Sequence, residues 1–359
     1  MVRTIDADYV GMGAQLAGNA LRVGWYSGLN WIMERESRRI AADAGDGGPA
    51  AARRYVPSRP VPTREALMAE LRRLMVADAA LVRDGLLPPL ADEPEGLVEH
   101  IGRLREMIAD LPKSLGRRES EETRSARDAA EAAGLPDYFT QDFHFQTGGY
   151  LTENSARLYD VQVETLFRGA AAAMRRQALV PVAEAMRGRD QRRVTLLDVA
   201  CGTGRLLRQV RLAWPALRLT GLDLSGAYLR EAERHFGRLR PAAWLRANAE
   251  AIPLPDASQD IVTSVFLFHE LPPAIRRTVT REMARVLKPG GLLVFIDSLQ
   301  MGDRPEWDGL LEVFPVRFHE PYYRHYAIDS LDSLFSDAGL TPVSTDLAFL
   351  AKMCVRKKQ

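Results

Sequence analysis

The segment Val194–Val210, VTLLDVACGTGRLLRQV, constrains this chain more than any other: an apolar run, one acid, a glycine turn and the start of an apolar-periodic helix follow in immediate succession. Val194–Val199 has the composition of a buried parallel strand, Cys201–Gly204 that of a tight turn, and Arg205 onward the spacing of a helix. Such a turn brings backbone N–H groups and a helix N-terminus close to a polar ligand. Alone, a glycine turn specifies little, since many α/β proteins carry one. Leu217–Leu222 adds a second short strand, ending at Asp223, where a carboxylate takes the hydroxyls of a ribose in related architectures. The turn holds only Gly202 and Gly204 and lacks the Lys-Ser/Thr pair of a phosphate-gripping loop, so the predicted ligand has a ribose but no pyrophosphate.

Asp198-Val199-Ala200-Cys201-Gly202-Thr203-Gly204 resembles the first motif of class I S-adenosylmethionine-dependent methyltransferases, with Ala200 in place of the first glycine. Asp223 after the second strand, Asn248-Ala249-Glu250 after the third and Lys288-Pro289-Gly290-Gly291 before the fifth fall in that family's order. Within the family the pattern is most similar to the type 11 enzymes, which include the ubiquinone/menaquinone methyltransferases. The resemblance runs from about Thr195 to the C-terminus and leaves the first half of the chain unmatched. It implies a doubly wound, mainly parallel seven-stranded α/β sheet of Rossmann-like type, and the residue spacing ahead of it predicts a helical N-terminal region. It also implies S-adenosylmethionine as cofactor, with Asp198, Ala200, Gly202, Gly204, Asp223, Leu224, Asn248 and Ala249 around it. Asp223 suits the ribose hydroxyls, although an acid there can also cap a helix. Asn248 by its side chain and Ala249 by its backbone frame the adenine, and Asp198 holds either the turn or the donor's ammonium.

The donor's methyl is already activated, so the main tasks left to the protein are alignment and exclusion of water. A base is needed only where the acceptor must lose a proton, as a phenol or quinol does. Relatives place residues near the methyl group after the fourth strand, and here Asp260–Glu270 supplies Phe268, His269 and Glu270. A second Phe-His-Glu tripeptide, Phe318–Glu320, leads into Tyr322, Tyr323 and His325. His269, His319 and Glu270 are the candidate catalytic residues, a histidine being able to take a proton near neutral pH. His144, Phe268, Tyr322, Tyr323 and His325 are the candidate acceptor-binding residues. Each histidine also has a structural reading, His269 as a cap for the helix begun by Pro272-Pro273 and the others as packing. A metal site can be drawn from His269, Glu270, His319 and His325, but spacing across separate segments does not specify one, and none is expected.

With 359 residues, the chain has room for a catalytic domain and an appendage. Lys plus Arg total 48 against 47 Asp plus Glu, so no global field favours nucleic acid, and none is expected as a partner. The two cysteines, Cys201 and Cys354, offer neither zinc spacing nor a disulfide framework and suit a reducing cytoplasm. Arg3, Asp6 and Asp8 leave no secretory signal pattern at the N-terminus.

Residues 1–42 form an apolar, aromatic helical segment, 43–62 a linker, 63–150 a helical accessory region with an aromatic loop, and 151–359 the methyltransferase domain. Between Tyr9 and Met33 the sole charged residue is Arg22, while Gly11, Gly13, Gly18, Gly24 and Gly28 weaken any isolated helix. Residues 9–39 read either as a helix packed on the protein itself or on a second copy, giving a homodimer, or as one lying on a membrane surface. A full membrane span is not expected, because Gln15, Asn19, Arg22, Ser27 and Asn30 interrupt it. Helices are expected from Thr63 to Gly85, over Gly96–Asp110 and over Ser120–Ala133, and one or two more over Leu151–Arg187. Leu135–Tyr150 reads as a lid or as interdomain packing. The chain as a whole reads as a cytoplasmic or membrane-peripheral methyltransferase for a small or lipid-like, aromatic or quinonoid acceptor, methylated at O or C. The alternative is a donor-binding regulatory protein without transfer.

Overall fold

Thr195–Val199 (β1) lies at the centre of a sheet because Leu196, Leu197 and Val199 are buried on both of its faces. Arg218–Asp223 (β2), Ala243–Arg246 (β3), Gln259–Val265 (β4), Leu287–Ser298 (β5), Leu340–Ala348 (β6) and Ala351–Lys358 (β7) complete a seven-stranded sheet ordered β3-β2-β1-β4-β5-β7-β6. Pairing is parallel from β3 through β5, and β7 runs antiparallel to both β5 and β6. The chain winds outward through β2 and β3 and returns on the other side of β1 at β4. That reversal opens a crevice at the carboxyl ends of β1 and β4, the place where doubly wound sheets bind ligands. In register, Asp198 lies opposite Gly221 on one side and Thr263 on the other.

The computed structural model describes residues 5–43, 55–90, 97–120, 134–145 and 148–359. Among these described residues six helices precede the sheet: α1 (Ile5–Asp43), α2 (Arg64–Arg83), α3 (Leu97–Ser120), α4 (Glu153–Leu166), α5 (Ala171–Arg176) and α6 (Leu179–Met186). Six more lie within or after it: α7 (Arg205–Ala213), α8 (Gly226–Phe236), α9 (Pro273–Val286), α10 (Asp308–Arg317), α11 (Tyr323–Tyr326) and α12 (Leu331–Ser336). Local chemistry sets their starts. Thr63 caps α2 through the Ala66 N–H, Thr152 caps α4 through the Ser155 N–H, and Pro272-Pro273 opens α9.

Several boundaries differ from the sequence expectation. The helix expected over Gly96–Asp110 continues through Pro112 to Ser120, and the one expected over Ser120–Ala133 lies almost wholly outside the described residues. Leu151–Arg187 holds three helices, because Gly169 at φ +83° turns the chain after α4 against the backbone of Arg22. The end of the expected linker is strapped to α10: Ser58 donates to Glu312, Arg59 pairs with Asp308, and the Gly309 N–H donates to the Pro60 carbonyl.

Despite its glycines, α1 is one continuous helix, because tertiary contacts supply what local propensity lacks. Gln15 and Asn19 donate to Asp78 on α2, whose carboxylate also takes Arg176 of α5 in a fully buried pair. Burial alone would raise the pKa of Asp78, but Arg176 overrides it and holds the group below the ordinary carboxylate value. Further along, Arg22 pairs with Glu164, and Asn30 donates to the Thr165 carbonyl, both partners lying on α4. Tyr26 and Leu29 pack with Leu104, Met107 and Val161. Both cysteines are buried and free. No helix among the described residues is long and apolar enough to cross a membrane.

Candidate active site

The end of β1 turns through Ala200 at φ +57°, Gly202 at +53° and Gly204 at +71°. Ala200 adopts the left-handed conformation that its place in the motif requires, and as an alanine it bears the strain a glycine avoids. Gly204 is fixed by packing: a Cβ there would stand 2.8 Å from the Cβ of Ala232, so α7 could not approach α8 as closely. At Gly202 an added Cβ would project into open space on the cavity wall. The turn is therefore a cradle open towards a ligand.

Asp223, at the end of β2, lines the same cavity, its carboxylate held by the Gly202 N–H (2.8 Å) and the Ser225 N–H (2.8 Å). Burial pushes its pKa up to about 6, against the opposing effect of these amides. Asp198 accepts a 2.6 Å hydrogen bond from Thr263 and is almost fully buried, which raises its pKa to about 7. Its side chain braces β1 against β4 behind the turn. Asn248 and Ala249 form the opposite wall with Leu224, and the Asn248 carboxamide is oriented by Glu250. A buried carboxylate at a strand end, an open glycine cradle and a carboxamide across the cavity fit the ribose, amino-acid tail and adenine of S-adenosylmethionine.

The cavity continues beyond this cradle into an aromatic chamber. Tyr138, Phe139, Phe143 and Tyr150 of the expected aromatic loop line it, together with Tyr159 of α4, Tyr228 of α8 and Phe266 after β4. The loop is tied down at several points. Tyr138 donates to Glu250 (2.7 Å), Tyr150 donates to Glu270 (2.5 Å), and the Ser225 hydroxyl donates to the Tyr150 carbonyl. Glu270 lines the chamber, and burial raises its pKa to about 7, partly offset by His269 and by the Tyr150 hydrogen bond.

His269 stands directly behind Glu270, with Nε2 3.8 Å from its Oε1 and Nδ1 2.6 Å from Asp297. Burial would lower the pKa of this imidazole, but Asp297 overrides burial and lifts it to about 9. Asp297 is itself fixed by the Phe268 and Ser298 N–H groups. Phe268 is wholly buried against Phe295 and contributes its backbone rather than its ring.

The second Phe-His-Glu tripeptide lies off the cavity lining. His319 hydrogen-bonds Gln141 (2.8 Å), which fastens the aromatic loop, while Glu320 is buried with its Oε1 3.1 Å from Nε2 of His144. Burial pushes the His144 pKa down to about 3 and that of Glu320 well up. Tyr323 is buried against Ser298, and Tyr322 packs with the cluster around Phe143 and Tyr150. His325 is half-exposed against Arg276 and Asp329. Among the described residues, Glu270 lines the chamber, whereas His144, Phe268, His269, His319, Tyr322, Tyr323 and His325 stand behind its wall or away from it.

Sequence reasoning passed over Asp297, Tyr159 and the pairing of Glu320 with His144. Asp297 carried a legible signal, since like Asp198 and Asp223 it is an acid closing an apolar strand. Tyr159 carried none, being one polar aromatic on a helix whose orientation depends on the whole fold.

A family profile described as "Methyltransferase domain" matches residues 196–291. A demethylmenaquinone methyltransferase of Listeria welshimeri is 33% identical over 181 residues, covering 43% of this chain and 73% of that protein. A ubiquinone/menaquinone biosynthesis C-methyltransferase of Methylobacterium nodulans is 34% identical over 168 residues, or 45% of this chain, which spans 63% of that relative's length. Among solved structures, a SAM dependent methyltransferase from Aquifex aeolicus aligns over 51% of this chain and 89% of its own at 21% identity and a TM-score of 0.38. The chain belongs to the class I S-adenosylmethionine-dependent methyltransferases.

Proposed function

We propose that the protein transfers a methyl group from S-adenosylmethionine to a small hydroxyaryl or quinol acceptor, at carbon or oxygen. The observation that carries this reading is the Glu270 carboxylate facing an aromatic chamber continuous with the Asp223 cradle. The names of the relatives, which mention demethylmenaquinone and ubiquinone/menaquinone, support a quinol-type acceptor. When bound, S-adenosylmethionine supplies an electrophilic methyl that needs no acid to leave its sulfur. Asp223 and Asn248 hold the donor's ribose and adenine, and the aromatic rings exclude water and stack the acceptor. Glu270, poised near neutrality, takes the acceptor's proton. His269 is already protonated at neutral pH through Asp297, so its part is to stabilise the Glu270 carboxylate rather than to act as the base. His319 fastens the loop.

S-adenosylhomocysteine release with a reduced, water-soluble naphthoquinone as acceptor tests this reading. Turnover is expected with the reduced form and not with the oxidised one; turnover that ignores the redox state counts against a quinol acceptor.

We further propose that α1 rests on a membrane surface. Leu21, Trp25, Trp31 and Ile32 project outward with 42–76% exposure, and Gly24 and Gly28 meet no atom within 4 Å of a built Cβ. A lipid-like acceptor suits such a location.

A further inference from the structure

Four tyrosines line the cavity, and the hydroxyls of three are engaged: Tyr138 with Glu250 and Asn248, Tyr150 with Glu270, and Tyr228 with Ser155. The Tyr159 hydroxyl makes no hydrogen bond among the described residues. Glu270 spends Oε1 on Tyr150, and its Oε2 is bound by no described residue. The ionisable groups around this pair are mostly acids: Asp223 on the donor side, with Asp198, Asp297 and Glu320 buried behind the walls. The nearby cations stand behind the walls and are each matched by an acid: His269, behind Glu270, by Asp297 at 2.6 Å, and Arg175, which acts on Tyr159, by Glu164 at 3.2 Å. No Lys, Arg or His lines the cavity among the described residues. The surrounding rings also present electron-rich faces, which disfavour an anion.

Resting on the role given to Glu270 above, we propose that this chamber selects its acceptor by charge. It takes an uncharged hydroxyaryl between the Tyr159 hydroxyl and Glu270 Oε2 and refuses the same ring carrying a carboxylate, with Glu270 as the discriminating residue. A bound carboxylate would lose its water, meet no cation and face a like charge across a low-dielectric site. A neutral hydroxyl instead donates to Glu270 and accepts from Tyr159, satisfying both.

Calorimetry on the full chain loaded with S-adenosylhomocysteine, at neutral pH, compares 2-naphthol with 2-naphthoate. The naphthol is expected to bind at least about tenfold more tightly. Glu270→Gln should narrow that gap by strengthening naphthoate binding, and Tyr159→Phe should weaken naphthol but not naphthoate. Both variants should keep S-adenosylhomocysteine affinity within about twofold, which shows that they fold. Equal or tighter binding of naphthoate, absence of naphthol binding, or a gap unchanged in Glu270→Gln overturns the proposal. Those results with intact S-adenosylhomocysteine binding leave the methyltransferase reading standing, whereas failure of the wild-type chain to bind S-adenosylhomocysteine removes both.

Discussion

Asp223 illustrates how much one side chain can carry. Its carboxylate is held by two backbone amides on the cavity wall. Hydrogen bonds to a charged group are worth about 1.5–3 kcal/mol, so Asp223→Ala should weaken S-adenosylhomocysteine binding by roughly 10- to 100-fold while leaving the circular dichroism spectrum unchanged. An unaltered affinity would falsify the ribose assignment. At Glu270 the expected readout is pH. With a pKa of about 7, the base form grows as pH rises, so kcat/KM should climb through pH 7 and level off above it. His269→Gln should move that midpoint upward, because Glu270 then loses its nearest cation. A midpoint that stays in place would mean that His269 is structural only. The motif glycines, Asp198, Asp223 and Asn248 were legible as residues because each sits beside a local punctuation mark, a strand end or a turn. Asp297 bears the same mark, but its pairing with His269 joins two segments that no local pattern links.

Among the elements, the knot of α1, α2 and α5 is the most exposed to single changes. Asp78 pairs with Arg176, and both are wholly buried. Asp78→Ala removes the carboxylate from a buried guanidinium and should cost about 3–5 kcal/mol in urea unfolding, whereas Gln15→Ala at the margin of the knot should cost far less. Equal losses would show that the buried pair is not what fastens α1. Legibility here was uneven. The helix from Thr63 followed its cap and its leucine spacing, whereas α1 carried too many glycines to be trusted as a single helix. The missing stability came from α2 and α4, segments whose contacts with α1 no local pattern records. The aromatic loop was visible as a change in composition, but composition left lid and packing equally open. Four of its rings lie on the cavity wall, so its part in closing the site follows from where Ser225, Glu250 and Glu270 hold it.

For the whole molecule, three cavity and strand-end acids share one linkage. Asp198, Asp223 and Glu270 have folded-state pKa values of about 7, 6 and 7, above the ordinary values of 3.8 and 4.5. Their protonated forms favour the fold, so the stability they lend is complete below their unfolded values and is lost as pH rises through 6 to 7. The melting temperature of the ligand-free protein should therefore fall between about pH 5 and 8, and Asp198→Asn should flatten that fall; a curve of unchanged slope would refute the assignment. The outward stripe of α1 belongs to this scale as well. Full-length protein should pellet with anionic liposomes, and Trp25→Glu with Trp31→Glu should release it. Failure of the wild type to pellet, with a dimer in sedimentation equilibrium that the same changes dissociate, would assign the stripe to a second copy instead.

By itself, the sequence determined the sheet, the order of its motifs and the glycine turn after β1. Those features rest on short-range patterns, strand hydrophobicity and turn chemistry, that are written within a few residues. Which groups line the aromatic chamber was decided by tertiary structure alone. Glu270 meets Tyr150 across 120 positions of the chain, and His269 is turned into a cation by an acid on another strand. Burial and distance set the charge of these groups, and neither quantity exists until the chain has packed.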